Sequence, residues 1–136
     1  MHVLTLLLGG CLVGCAAALP PAAGPQFDGE YIGQTTLISG GGYLCEPITA
    51  TLALAVHSGQ FDYPFPVTLG RTAPVSVRVA ADGTFAGQMQ YGTEDYTPRG
   101  LYRTAWVTVR GRIADGALDA TIIDDRCIHR LAARRE

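Results

Sequence analysis

Apolar and polar residues alternate with a period of two along most of the chain after Phe27, and short glycine-containing segments interrupt the alternation. This pattern is typical of antiparallel strands with one buried face, and no segment has the 3.6-residue spacing of an amphipathic helix. The clearest case is the segment 106–124, which turns at Asp115-Gly116, a strong two-residue hairpin signal. The sequence therefore predicts an all-β domain built from hairpins.

Two further hairpin turns are predicted at Asp82-Gly83 and at His57–Gln60. Glycine tolerates a positive φ in such turns, and aspartate can bond the turn backbone. Glycines within the predicted strands, at Gly33, Gly87 and Gly111, fit the bends of a tightly curled sheet. Because the connections are short, a sequential meander is favoured over Greek-key crossings.

The pattern predicts about eight strands, enough to close a small barrel without exposed edges. A β-sandwich of the same strands is the alternative. The predicted strands are Tyr31–Ile38, Ile48–Val56, Phe61–Leu69, Val75–Ala81, Thr84–Tyr91, Leu101–Ile113, Ala117–Asp124 and Cys127–Leu131.

The N-terminal segment has a different character, because residues 3–19 contain no charged side chain. Its apolar core is shorter than the ~20 residues that a membrane-spanning helix needs, so a secretory signal is the better interpretation. Leu12-Val13-Gly14-Cys15 resembles the lipobox of bacterial lipoproteins. The resemblance implies that Cys15 is lipidated and becomes the mature N-terminus. Cleavage at Cys11 or near Ala18, and a start codon upstream of Met1, are alternatives.

This resemblance divides the chain into a signal peptide (1–14), a lipidated cysteine with an Ala/Pro/Gly-rich tether (15–26) and a β-barrel domain (27–136). It implies an exported protein whose lipid anchors it to the cell envelope, in the outer membrane facing the periplasm. A soluble periplasmic or secreted protein is the alternative. The expected membrane contact is therefore the N-terminal lipid.

The charge pattern excludes one class of partner. The chain has ten arginines, no lysine and 12 acidic residues, for a formal net charge of −2. Neither sign forms a run longer than a pair, so the linear sequence indicates neither nucleic-acid binding nor a polybasic membrane patch.

Cys45 and Cys127 are the two cysteines of the exported domain, if Cys11 and Cys15 belong to the signal. Because the envelope oxidises thiols, we predict that they form a disulfide. On the chain-entropy model, closing a loop of this length stabilises the fold by about 4.5 kcal/mol. The alternative, a metal site of both cysteines with His129, lacks a paired-ligand motif, so no metal and no cofactor is expected.

No catalytic constellation is evident. His57 lies in a predicted turn and His129 on the last strand, and neither has a nucleophile in a known pattern beside it. The neighbouring carboxylates Glu94-Asp95 and Asp124-Asp125 are typical of solvated turns. We therefore expect a protein that is not an enzyme.

Two segments are candidates for partner binding. Gly92–Gly100 is long for a hairpin connection and contains Tyr96 and Arg99, residue types that are enriched at binding hot spots. A proline-stiffened segment contributes Tyr63 and Phe65. The alternative is that Tyr63 and Phe65 plug a barrel end and that the long loop has no binding role.

Trp106 is the single tryptophan of the chain. One tryptophan does not make a ligand cage, and its large apolar surface favours burial. We therefore expect Trp106 in the core or at a barrel end.

A spread pattern covers most of the domain: Phe27-Asp28-Gly29-x-Tyr31-x-Gly33, Cys45, Asp82-Gly83-x-Phe85-x-Gly87, Gly111-x-Ile113 and Cys127. It resembles a group of short exported proteins of Gram-negative bacteria without assigned function. The segment 40–45 is also partly similar to periplasmic metalloprotease inhibitors and to lipoprotein lysozyme inhibitors. Tyr31 replaces the usual tryptophan of the first family, and the cleft-entering loop of the second has no counterpart. No functional residue is therefore transferred from either family.

These observations predict a non-enzymatic, lipid-anchored β-barrel that acts as a binding or structural module. Its partner would be an unknown envelope protein or a small ligand. The alternative is a periplasmic inhibitor of a hydrolase, either a protease or lysozyme.

Overall fold

The computed structural model of the chain describes residues 21–41, 45, 51–68, 70–96 and 102–136. A short 3-10 helix, Pro25–Phe27, precedes eight strands. The strands are β1 (Gly29–Gly40), β2 (Leu52–Val56), β3 (Gln60–Thr68), β4 (Arg71–Val79), β5 (Thr84–Tyr96), β6 (Tyr102–Ala114), β7 (Ala117–Ile123) and β8 (Cys127–Arg135).

All eight strands belong to one antiparallel sheet with the order β2-β1-β8-β7-β6-β5-β4-β3. Consecutive strands are neighbours from β3 to β8, and β8 then pairs with β1, which brings the two ends of the chain together. The sheet thus curls into a nearly closed barrel. The predicted all-β meander barrel is confirmed, and the sandwich alternative is wrong.

The turns and bends follow from the residues that the sequence singled out. Asp115 and Gly116 have φ values of 52° and 72°, the left-handed pair that a two-residue hairpin turn requires. Gly33 and Gly111 lie where strands touch, because a Cβ added to either would stand 2.0 Å from a carbonyl oxygen of the neighbouring strand. Only glycine permits this close approach, so the predicted bends are confirmed at both positions.

The core fills the inside of the barrel, because every second residue of each strand points inward. Side chains from strands that are not adjacent also meet there; Phe61 of β3 and Phe85 of β5, for example, pack edge to face with centroids 5.2 Å apart. The most completely buried of the larger side chains are Tyr31, Leu54, Val75, Val77, Val79, Val107, Val109, Ile113, Leu118, Ile122 and Leu131.

The hairpin predicted between β2 and β3 is correct at its turn and wrong along its strands. His57 and Gln60 form a bridge, but β2 pairs with β1 and has no hydrogen-bonded ladder with β3. Pro64 lies opposite Pro74, and since neither has an N–H, this must be a non-hydrogen-bonded pair. The backbone nitrogen of Pro64 therefore faces β2 and has no hydrogen to donate. The sheet is open between β2 and β3 at this point, and we call this opening the seam.

Several strand bounds differ from the prediction. β5 continues to Tyr96, so the residues 92–96 expected in a loop are strand. Their pairing with β6 resumes at Tyr96 and Tyr102 after an irregularity, a register that simple alternation does not reveal. The strand predicted from Ile48 is described from Leu52 onward, and residues 46–50 lie outside the described ones.

The prediction that Trp106 is in the core is wrong. Its neighbours Ala105 and Val107 are buried, so the alternation of β6 places Trp106 on the outer face of the barrel with 54% of its surface exposed. Large apolar surface favours burial, but strand parity decides which face a side chain occupies.

The two ends of the barrel are built differently. At the turn end lie the short connections 57–59, 80–83 and 115–116. At the other end, which we call the loop end, β1 finishes at Gly40, β5 finishes at Tyr96, β6 begins at Tyr102 and residues 124–126 connect β7 to β8. The segment Pro21–Asp28 packs on the turn end, where the Ala23 N–H donates to the Val79 carbonyl at 2.9 Å and the Tyr31 hydroxyl donates to the Phe27 carbonyl at 2.8 Å. Nothing in the described ranges is a helix of sufficient length and apolar character to cross a bilayer.

Candidate functional site

The loop end contains a disulfide that ties the first long connection to the last strand. Cys45 is bonded to Cys127, with Cα atoms 5.5 Å apart and 82 residues of separation. Both residues are buried, so the bridge belongs to the barrel interior at this end. The predicted pairing is confirmed, and the metal-site alternative is wrong, because disulfide sulfurs are not thiolate ligands.

The connection from β7 to β8 is shaped by Asp124. Its Oδ1 accepts the backbone N–H groups of Arg126 at 2.7 Å and Cys127 at 2.9 Å. This side-chain cap closes a tight turn and fixes the direction in which β8 begins. The next residue, Asp125, accepts a hydrogen bond at 2.8 Å from the hydroxyl of Tyr91 on β5.

Two tyrosine hydroxyls therefore lie beside acidic groups at the loop end. Burial, with a smaller contribution from Asp124, raises the pKa of Tyr63 to about 12. Burial and the hydrogen bond to Asp125 raise the pKa of Tyr91 as well. Both phenols stay protonated at neutral pH, and both can act as hydrogen-bond donors.

His129 of β8 points into the same interior space and is 9% exposed. Its Nε2 lies 2.5 Å from the carbonyl oxygen of Cys45. Since a carbonyl only accepts, Nε2 carries the proton in this contact and donates it. The imidazole thus links β8 to the backbone of the disulfide-bonded connection.

Thr93 is the one buried side chain among the described residues whose polar atom lacks a partner. It is 3% exposed, and no hydrogen bond to its Oγ1 is found within the described part of the chain. An unsatisfied buried hydroxyl costs about 1–3 kcal/mol, so such groups are rare in folded proteins. Thr93 follows Tyr91 on the inward face of β5 and therefore points into the loop end.

A small cavity opens at the seam between β2 and β3. Its volume is about 110 Å³, whereas pockets for drug-sized ligands are typically ~300–1,000 Å³. It has room for part of a side chain rather than for a cofactor. Its lining residues are Thr35, Thr51, Leu52, Tyr63, Pro64, Thr72 and His129.

The structure describes some of the predicted site residues and not others. Tyr63 and Phe65 are 6% and 5% exposed, so both point into the barrel. Phe65 packs on Tyr91 with ring centroids 4.9 Å apart. Tyr96 ends β5 at the loop end, while Arg99 and Cys15 lie outside the described residues.

Sequence reasoning missed part of this site. It assigned no role to Tyr91 or Thr93, and it interpreted Asp125 as a solvated turn residue. The alternation of inward and outward residues along β5 places Tyr91 and Thr93 on the inward face, and this signal could have identified both as site residues. The contact of Tyr91 with Asp125 joins β5 to the β7–β8 turn, and no pattern within one strand predicts it.

The described side chains of this end offer hydrogen-bonding groups. Among the described residues, His129 bonds a backbone carbonyl and His57 lies 3.9 Å from Asp28 at the turn end. Neither imidazole is hydrogen-bonded there to a serine, threonine or cysteine side chain. The described residues also contain no group of three or more His, Cys, Asp or Glu side chains that could hold a metal ion.

Comparison with known proteins yields no relative. No protein-family model, no curated protein and no solved structure matches this chain.

Proposed function

We propose that this protein is a non-enzymatic, lipid-anchored binding module of the cell envelope that recognises a protein partner at its loop end. The observation that carries the proposal is the difference between the two ends. The turn end is covered by Pro21–Asp28, whereas the loop end combines the longest connections with inward-facing polar side chains.

The attachment of the chain supports this choice of end. The described chain begins at Pro21 on the turn end, and Cys15 is only six residues earlier. Those residues can span at most ~20 Å even when fully extended. A lipid on Cys15 would therefore hold the turn end near the membrane and leave the loop end accessible.

The size of the cavity supports a protein partner over a small ligand. A space of about 110 Å³ is too small to bury a typical ligand, whereas protein partners are recognised through a surface with a few anchoring side chains. Tyr96 and Arg99 are the side chains that we propose as such anchors. The hydroxyl of Thr93, which has no partner among the described residues, would receive a hydrogen bond from an inserted group.

The anchor is tested on the purified protein by mass spectrometry. We expect acyl chains on an N-terminal Cys15, and Cys15→Ser should remain unprocessed or be released from the membrane. An unmodified N-terminus near Leu19 would contradict the lipid anchor.

The recognition end is tested with Tyr96→Ala combined with Arg99→Ala in the full lipidated protein. We expect stability to stay within about 0.5 kcal/mol, because rim substitutions usually have small effects, and capture of a specific partner from envelope extract to fall at least tenfold. The matched control is Gln26→Ala with His57→Ala, two exposed positions at the turn end.

Each outcome has a defined meaning. Loss of capture in the loop-end variant alone supports the proposal, and a captured hydrolase whose turnover slows would make the binding inhibitory. Undiminished capture by the loop-end variant would contradict the proposal. Unfolding of that variant would place Tyr96 and Arg99 in the core and contradict it as well.

A further inference from the structure

One outer surface of the barrel has exposed apolar side chains beside the loop end. Trp106 on β6 is 54% exposed and Ile38 on β1 is 58% exposed. Ile123 of β7 and Ile128 of β8 are paired with each other and lie between them. Ile38 occupies the bulge of β1 next to Ile128. On the other side, Ile123 pairs with Thr108 of β6, and Trp106 is two residues from Thr108 on the same face. We call these four side chains the apolar row.

Arginines follow the apolar row on the same outer surface. Arg110 of β6 and Arg130 of β8 both pair with Thr121 of β7, one step of the alternation behind Ile123. Two residues of strand correspond to ~6.6 Å, so the guanidinium groups start about this far from the apolar row along the same outer surface. Arg112 and Arg134 continue the basic surface toward the turn end.

This surface is basic although the chain as a whole is acidic. The outward positions of β6, β7 and β8 contain four arginines and one acidic residue, Asp119, which pairs with Arg130 at 2.5 Å. Their sum is therefore +3. Because the whole chain has a formal net charge of −2, all remaining residues together carry −5. Such an asymmetry orients a protein toward an anionic surface.

A shallow hollow lies within this surface. Its volume is about 340 Å³, and Arg130, Arg134 and Asp119 border it around the small side chain of Ala132. Arginine is the preferred side chain for bidentate contacts with phosphate oxygens. The hollow thus offers room for a phosphate headgroup beside two guanidinium groups.

We propose that the outer face of β6, β7 and β8 docks on an anionic lipid bilayer. Trp106 and the isoleucines enter the headgroup region, where tryptophan is favoured at the boundary between water and hydrocarbon. The arginines contact lipid phosphates. The proposal rests on the envelope location given above, and it adds a second membrane contact that lays the barrel on its side with the loop end still accessible.

The single tryptophan makes this docking directly measurable. The full chain is reconstituted into vesicles of phosphatidylcholine alone or with phosphatidylglycerol, and either vesicle contains brominated lipids that quench tryptophan on contact. With phosphatidylglycerol we expect at least half of the Trp106 emission to be quenched, with a blue shift that 0.5 M salt reverses. With phosphatidylcholine alone we expect little quenching.

Two charge variants provide the matched comparison. Arg110→Gln with Arg134→Gln should reduce the ratio of docked to undocked protein at least tenfold, because each arginine near an anionic surface is worth roughly fivefold. Arg71→Gln with Arg78→Gln removes the same charge from β4, which lies three strands from β7, and should leave the quenching unchanged.

The failures of the two proposals are distinguishable by vesicle flotation. Protein that floats with vesicles while Trp106 remains unquenched in both lipid mixtures would overturn the docking face and leave the anchor intact. Protein that does not float would contradict the anchor. Equal quenching in both mixtures, or a Trp106 shift that appears only when envelope proteins are added, would also overturn the lipid assignment.

Discussion

At the scale of single residues, the loop end is defined by buried hydroxyl groups whose surroundings differ. Tyr91 donates to Asp125 at 2.8 Å, Tyr63 is buried with Asp124 as the acidic influence on its pKa, and Thr93 has no partner among the described residues. Burial favours the neutral form of a phenol, so the fold and the protonation state of Tyr63 are coupled.

Tyr63→Phe should reduce the loss of stability in alkali. The folded pKa of Tyr63 is about 12 against an ordinary value of 10, so its contribution is fully present below pH 10 and is lost as the pH rises toward 12. At pH 11 the wild type should have lost roughly 1 kcal/mol through this group alone. Urea unfolding of both proteins at pH 8 and pH 11 measures the difference, and an identical decline in the two would contradict the coupling.

Thr93→Val should stabilise the free protein. Valine keeps the shape of threonine and removes a buried hydroxyl that has no partner among the described residues, which should raise the free energy of unfolding by about 1 kcal/mol. Thermal and urea unfolding test this. A clear decrease in stability would show that Thr93 has a partner in solution.

The residue scale also shows where sequence reasoning succeeds and where it fails. Strand parity explains the burial of Tyr63 and Phe65, which the sequence had as candidates for either partner binding or plugging the barrel. Trp106 was misplaced because its size was given more weight than its parity. The contact between Tyr91 and Asp125 was beyond sequence reasoning, because 34 residues separate them along the chain.

At the scale of strands, the glycines decide how tightly the sheet curls. Gly111→Ala should lower the free energy of unfolding by roughly 3 kcal/mol, because the new methyl group would meet the Asp119 carbonyl oxygen at 2.0 Å. Gly92→Ala on β5 is the control, since no atom of the described residues lies within 4 Å of its added Cβ, and it should change stability by less than about 0.5 kcal/mol. Equal effects at both positions would contradict the close approach of β6 and β7.

The disulfide is the covalent link between β8 and the first long connection. Replacing both cysteines, Cys45→Ala with Cys127→Ala, should lower stability by up to about 4.5 kcal/mol, the chain-entropy value for a loop of this length. Differential scanning calorimetry should show a markedly lower melting temperature. Two freely alkylated thiols in protein isolated from the envelope would count against the bridge.

Strand order was predictable where the turns are short, and the seam was not. Asp115-Gly116 and Asp82-Gly83 fix their hairpins locally, and the meander follows. The seam depends on Pro64 facing Pro74, which is a property of the register between β3 and β4 and not of either strand alone. Closure through β1 and β8 likewise depends on the curvature of the whole sheet.

At the scale of the whole molecule, we propose that the barrel separates attachment from recognition. The turn end is joined to the N-terminal segment, the loop end presents the inward polar cluster, and the basic outer face lies along the side between them. These arginines form no run in the sequence. Arg110 and Arg112 lie on β6 and Arg130 and Arg134 on β8, and the two pairs come together only in the sheet.

The most direct test of the account is site-specific photo-crosslinking in intact cells. A photoreactive amino acid is placed at Tyr96 or Arg99 at the loop end and, as controls, at Asp82 or Asp115 in turns of the opposite end. We expect adducts with one discrete envelope protein from the loop-end positions and none from the controls. Adducts from the turn-end positions alone, or no adduct from either end, would contradict the assignment of partner recognition to the loop end.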